Sequence, residues 1–335
     1  MVDFEIKKFC SEKEWLNARK KDLTASSIAA LFGVHEFITP YALWSEKSGK
    51  LKINNIENQA IQRGKLLEPV AVELLKFDFP ELEIHHNSGS ETLYFRDPIY
   101  RIGATPDTLV QCPNRGNGTI QIKSVESSVF RKKWIDENGD PEPPLWIAIQ
   151  ASLEAYMTNS NWAAVAPIVV SHGIEVPLIE IPIQKKLIKA IHKKSIDFWE
   201  MIENGIEPTP NFSLDEDVIN NSYQGDGTSI DLSNSNKIQC LIEEHSIILD
   251  QFNNAEKRIN EIKSELKFSM KNSELAYLKD GKKMTWKRQK RRLSNGNYTS
   301  HRVLRVPKIL KKEDDLEEPI EFKKETISTE DKWRF

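Results

Sequence analysis

Two short clusters carry residue types suited to hydrolysis, Thr105-Pro106-Asp107 and Gln121-Ile122-Lys123. Strand-like runs flank both, and the segment from Pro113 to Gly118 reads as the turn between them, so antiparallel pairing would bring Asp107 and Lys123 together. A carboxylate beside a lysine can hold a divalent cation through oxygen ligands while the ammonium orients a water for attack on a phosphodiester. Gln121 lies two residues before Lys123 and therefore points to the same face of the strand. Taken singly, Asp107 after Pro106 is an ordinary turn residue. Lys123 in an apolar strand is harder to explain without a partner.

These clusters need elements to hold them. Residues 15–32 and 60–77 have helical patterns, the second with Leu66, Leu67, Val70, Leu74 and Leu75 as apolar positions. Short strands are expected at 92–95, 99–105, 108–111 and 119–125, then a helix at 145–157, strands at 163–170 and 177–183, and a helix at 185–203. That order suits an α/β sandwich whose sheet presents a site on one side.

Four further segments flank the clusters in fixed order: Arg19 with Thr24-Ala25-Ser26-Ser27-Ile28-Ala29, then Arg63-Gly64-Lys65-Leu66-Leu67-Glu68-Pro69, then Gln150 followed by Tyr156, then Phe198-Trp199 before Gly205 and Pro208. With Thr105-Pro106-Asp107 and Gln121-Ile122-Lys123, this series resembles the YqaJ-like viral recombinase group of the PD-(D/E)XK nuclease superfamily, which includes the phage lambda exonuclease. The resemblance covers about residues 1 to 210 and implies a restriction-endonuclease-like α/β core. It implies Asp107 as the principal metal ligand, the main-chain carbonyl of Ile122 as a second contact, Lys123 as the residue activating water, and Glu68 as an aid to metal or water positioning. Arg19, Ser26, Thr105 and Gln150 would line a pocket for the 5′-phosphate of a DNA end, a role their chemistry suits: a planar guanidinium fork and neutral donors. Arg19 read by itself would instead pair with Glu12 or Glu14 on a helix surface.

One position departs from the pattern. Where the group carries Glu or Asp, this chain has Gln121, whose amide oxygen can coordinate Mg²⁺ but brings no charge. A QxK motif occurs in the Mrr-like branch of the superfamily, so the expectation is an active enzyme in which Gln121 serves as ligand and Glu68 supplies compensating charge. The reading is therefore a Mg²⁺-dependent deoxyribonuclease, with Mn²⁺ as the alternative ion, directed to 5′ ends of double-stranded DNA in phage-type recombination. Two other readings stay open: a structure-selective or restriction-like endonuclease, and a DNA-binding recombination protein whose catalysis is impaired at Gln121. The resemblance also implies a trimeric homo-oligomer and a single-strand annealing protein as partner.

Composition bounds the rest. The 335 residues are 39% apolar and 29% charged, in the range of folded globular chains. Cys10, Cys112 and Cys240 are too far apart in sequence for a CxxC site or a disulfide framework, which fits a cytoplasmic setting. No run approaches a membrane span. Net charge is −3, yet residues 279–312 hold 13 Lys or Arg against one Asp, and residues 313–335 hold nine acidic against four basic residues. The basic block, with Lys287, Arg288, Lys290, Arg291 and Arg292 around Trp286 and near Tyr298, reads as a DNA-binding patch, or as a hairpin that uses Trp286 to pack on the helix before it. Pro208 to Asn236 has linker composition. From Ile238 an apolar repeat at three- and four-residue intervals predicts a long helix, and Asp280-Gly281 a hairpin turn. The expected organisation is a nuclease domain at 1–210, a linker at 211–236, and a helical arm, basic hairpin and acidic tail at 237–335. His85-His86 reads as loop decoration.

Overall fold

The computed structural model describes residues 4–51, 59–89, 92–292 and 298–307. The chain forms two compact units, meeting in sequence at Gly225 and Asp226.

The first unit holds two sheets. A four-stranded sheet has the order β1 (Glu5–Lys8), β4 (Leu93–Asp97), β5 (Ile102–Ala104), β2 (Leu23–Thr24). The larger sheet runs β10 (Ile179–Ile181), β8 (Trp162–Val170), β7 (Gly116–Glu126), β6 (Thr108–Cys112), β3 (Glu83–His86), with β9 (Ile174–Glu175) paired to β8. β6 and β7 are antiparallel, as their short connection requires, whereas β7 and β8 are parallel and joined through α4 (Ser127–Lys133) and α5 (Leu145–Met157).

Strand alternation assigns the two faces of β7. Ile120 and Ile122 join Ala71, Val72 and Leu75 of α3 (Gln59–Asp78) in one apolar cluster. Val125, with Ala163 and Val165 of β8, packs against Ile147, Ala148, Ala151 and Ala155 of α5. The polar residues Gln121 and Lys123 share the face turned toward α5. A third cluster ties α5 to Leu43 and Trp44 of α2 (Pro40–Lys47), to Ile28–Ala30, and to Leu187, Ile191 and Trp199 of α6 (Lys185–Glu203).

Two expectations are corrected here. The helix predicted over 15–32 is instead α1 (Glu12–Lys20), the strand β2, and a 3₁₀ turn at Ile28–Phe32. The break falls where Asp22, fully buried, accepts from Tyr94 Oη at 2.9 Å and from Arg96 Nε at 2.9 Å, while Leu23 and Thr24 pair in parallel with Ile102 and Gly103. A buried ion pair and a sheet ladder outweigh local helix preference. The second concerns residues 211–236. Their first half folds onto the core of the first unit, because Asp215, 1% exposed, accepts from Thr39 Oγ1 at 2.6 Å and from the Asn211 amide at 2.7 Å, and α7 (Glu216–Ser222) follows it.

The second unit contains α8 (Asn236–Met270), started by Ser235, whose hydroxyl accepts from the Ile238 amide, and an antiparallel sheet β11 (Leu275–Tyr277), β12 (Lys283–Arg292), β13 (Tyr298–Arg305). Gly281 takes φ of 71° at the turn before β12, which a residue without Cβ accommodates freely. β13 has no counterpart among the expected elements. The acidic tail lies outside the described residues.

Candidate active site

Asp107 sits in the link from β5 to β6, immediately before Thr108, which pairs with Ile120 of β7. That register sets its carboxylate against the next residues of β7. Oδ2 accepts from the Ile122 amide at 2.8 Å and from Gln121 Nε2. Asp107 and Gln121 are thus linked directly. Lys123 continues the same face, its Nζ 5.8 Å from the centre of the Trp146 ring.

These groups line one cleft of roughly 730 Å³ together with Glu68, Arg19 and Thr105. Of the four residues expected at a phosphate pocket, Arg19 and Ser26 are bonded to each other, while Thr105 and Gln150 have other partners. Arg19 Nη2 donates to Ser26 Oγ at 3.1 Å, and its guanidinium stacks on Trp15, 4.5 Å from the ring centre. Trp15 Nε1 in turn donates to Thr105 Oγ1 at 3.1 Å, so Trp15 connects Arg19 to the strand side of the cleft. The surface pairing of Arg19 is not what the fold adopts: Glu12 binds Lys65 at 3.0 Å and Glu14 accepts from the Cys10 amide. Burial lowers the proton affinity of Arg19, although a guanidinium stays charged throughout the working pH range.

Gln150 has its partner on its own helix. Its Nε2 donates to Glu154 Oε1 at 2.9 Å, one helical turn further along α5. Glu154 also lines the cleft and is 1% exposed. The sequence reading passed over it, although a signal exists: it is the one charged residue in the apolar run LWIAIQASLEAYM that forms α5. Burial and then the neighbouring Asp107 charge push its carboxyl up to about 8. Burial also raises Asp107, to about 7, with Lys123 opposing that rise and Glu68 adding to it. Two buried carboxyls facing Lys123 and Arg19 are a typical way of arranging charge at a functional cleft.

On the opposite wall, α3 supplies Glu68. Pro69 lies within that helix and has no N–H to offer the turn before it. Glu68 Oε1 accepts from His86 Nε2 at 2.7 Å, and His86 Nδ1 contacts Ser88 Oγ at 3.1 Å. His86 is therefore not loop decoration: it closes β3 and orients Glu68. His85 points elsewhere, bonded to Glu83.

The donors suit a small hard cation. Mg²⁺ is ordinarily held by one or two carboxylates with waters completing its shell, not by an all-protein cage. Among the described residues no three His, Cys, Asp or Glu side chains form a ready-made cage. Instead, Gln121 Oε1, Gln150 Oε1 and Glu154 Oε2 are buried oxygens without a hydrogen-bond partner. Buried acceptors are almost always satisfied, by protein, water or an ion. The chemistry of the cleft thus fits a hydrated divalent cation.

In the second unit, strand parity divides the basic block. Lys283, Lys287 and Arg291 of β12 share a face with Arg305 of β13, while Arg288 and Lys290 lie on the other face beside Trp286 and Arg302. The Arg302 guanidinium stacks 3.6 Å from the Trp286 ring centre and donates to the carbonyls of Trp286, Lys271 and Ser273. Trp286 is thereby covered, whereas Tyr298 is exposed. The Arg292 side chain lies outside the described residues.

The antiparallel β6–β7 pair presents Asp107 to Gln121-Ile122-Lys123 in a mixed α/β core, with α3 and α5 on either face of the sheet. Residues 14–161 match the model of the YqaJ-like viral recombinase domain. The chain is similar to the uncharacterized protein YqaJ of Bacillus subtilis (strain 168), 24% identical over 277 residues, which cover 80% of this chain and 81% of that one. Among solved structures it is similar to the alkaline exonuclease LHK-Exo from Laribacter hongkongensis in complex with dAMP, at TM-score 0.44 and 23% identity over 62% of this chain and 98% of that one. A second is a putative exonuclease from Eubacterium rectale, at TM-score 0.42 and 12% identity over 69% of this chain and all of that one. No helix among the described residues is long and apolar enough to cross a membrane.

Proposed function

We propose that the protein is a divalent-metal-dependent DNA nuclease that degrades linear duplex DNA from 5′ ends in phage-type recombination. The observation that carries the reading is Asp107 bonded to the Gln121-Ile122 segment in one cleft with Lys123, Glu68 and the Arg19–Ser26 pair. Asp107, the Ile122 carbonyl and Gln121 would hold Mg²⁺ or Mn²⁺, with Glu68 nearby. When bound, the ion supplies Lewis-acid polarisation of a phosphoryl oxygen and stabilises charge on it.

The chain's own groups do the rest. Lys123 places an ammonium beside Asp107, where it can orient an attacking water and offset negative charge as the phosphodiester opens. Arg19, fixed by Trp15 and Ser26, presents its remaining N–H groups to a terminal phosphate, with Ser26 and Thr105 as neutral donors. Such a pocket favours an end over an internal phosphate, which supports exonuclease over endonuclease action. The departure from an acidic strand motif at Gln121 is no bar, since Gln121 holds Asp107 in place.

The test is digestion of linear duplex DNA with and without a 5′-phosphate, and of closed circular DNA, in Mg²⁺ or EDTA. The expected result is Mg²⁺-dependent loss of phosphorylated linear DNA, an intact circle, and at least a ~10³-fold lower rate for Asp107→Ala, the scale on which electrostatic transition-state stabilisation acts. Cleavage of the circle would shift the reading to an endonuclease. An inert wild type in every divalent ion would remove the enzymatic reading and leave DNA binding.

A further inference from the structure

We infer that Glu154 is an anionic metal ligand of this site, supplying from helix α5 the charge that strand β7 lacks at Gln121; the inference rests on the nuclease reading above. Gln121 commits its amide N–H to Asp107. Glu68 is already held by His86 on the α3 wall. The strand motif therefore delivers one carboxylate, Asp107, together with neutral oxygens, and two carboxylates are the usual upper share for Mg²⁺.

Glu154 meets the need in position and in chemistry. It lines the same cleft as Asp107 and Lys123, from the helix that packs on the Gln121 face of β7. Gln150 fixes one of its oxygens and leaves the other, Oε2, buried without any partner. A carboxylate buried to this degree in an apolar helix is costly unless something compensates it. Among the described residues no ion pair reaches it: Arg19 donates to Ser26, and Lys123 faces Trp146. Gln121 Oε1 and Gln150 Oε1 are further buried acceptors lacking a donor in the same cleft. A cation with its waters would satisfy Glu154 Oε2 and provide donors for both amides. The competing role is structural, with Glu154 acting at a distance as counter-charge to buried Arg19.

The deciding measurement is Mn²⁺ binding to the full chain without DNA, by calorimetry, for wild type, Glu154→Gln, Gln121→Glu/Glu154→Gln and Asp107→Asn, with melting curves as a folding check. Glu154→Gln is expected to weaken Mn²⁺ about tenfold or more, as ligand charge sets affinity at hard-cation sites. Moving the carboxylate back to the strand in the double variant is expected to recover most of that affinity. If folded Glu154→Gln binds Mn²⁺ like wild type while Asp107→Asn does not, the ligand assignment is overturned and the nuclease reading survives. If wild type binds no Mn²⁺, both fall. Should Glu154→Gln not fold, the double variant decides: Mn²⁺ binding by it supports the assignment, and failure to fold or to bind assigns Glu154 to Arg19 instead.

Discussion

Replacing Glu154 by Gln should stabilise the metal-free protein at alkaline pH, and the amount follows from the site. The substitution keeps the shape of the side chain and the acceptor oxygen that Gln150 uses. It removes a carboxyl whose native affinity for its proton is raised from 4.5 to about 8, first by burial and then by Asp107. A carboxyl with a raised native pKa binds its proton more tightly folded than unfolded. Its contribution to stability is therefore greatest at low pH and is lost as pH climbs from the unfolded value through about 8. At ~1.4 kcal/mol per unit, the full cost of ionising Glu154 has a ceiling of roughly 5 kcal/mol. Relaxation and water entry reduce such costs, so a gain of about 1–2 kcal/mol is expected near pH 9. For a unit of this size that raises Tm by ~2–8 °C. The assay is thermal melting in EDTA from pH 5 to 9. The variant's advantage should be smallest at pH 5, widen from there to about pH 8, and level off above it. A variant that melts below wild type by the same margin at every pH would refute the reasoning, because the charge would then carry no burden in the fold.

Two other expectations are independent of the metal. If the second unit grips DNA through its Lys287 face, replacing Lys283, Lys287, Arg291 and Arg305 by Ala should flatten the salt dependence of binding, lowering the slope of log K against log salt by about 3–4; Arg288→Ala/Lys290→Ala, on the other face, should change it much less, and equal effects per charge would remove the distinction. Arg96→Ala strips the guanidinium from buried Asp22 and should destabilise the first unit by about 3 kcal/mol at pH 7 in urea unfolding, with part of the loss recovered in the double variant Arg96→Ala/Asp22→Asn.

Much of the α/β core was legible because its signals are local. The helices at 145–157 and 185–203 have the bounds that their apolar runs predicted, and the Pro113–Gly118 turn forces β6 and β7 to pair antiparallel, which brings Asp107 to Gln121-Ile122-Lys123. Arg19 and Ser26 were expected to line one pocket, and the fold bonds them to each other. Other features were written in contacts between distant parts of the chain. Nothing near Asp22 announces that Tyr94 and Arg96 will bury it and end the first helix. Asp215 becomes a core residue only because Thr39 lies beside it, and His86 becomes a partner of Glu68 only because β3 runs past α3.

Glu154 marks the division most clearly. The sequence by itself determined that α5 is an apolar helix with one carboxylate in it, since propensity and periodicity act over neighbouring residues. Whether that carboxylate met solvent, core or cleft depended on which face of α5 packs on β7, and long-range packing decided that. Residue types fixed which groups can carry charge and donate protons; tertiary structure fixed which of them share a low-dielectric cleft, where the same charges interact far more strongly than they would in water.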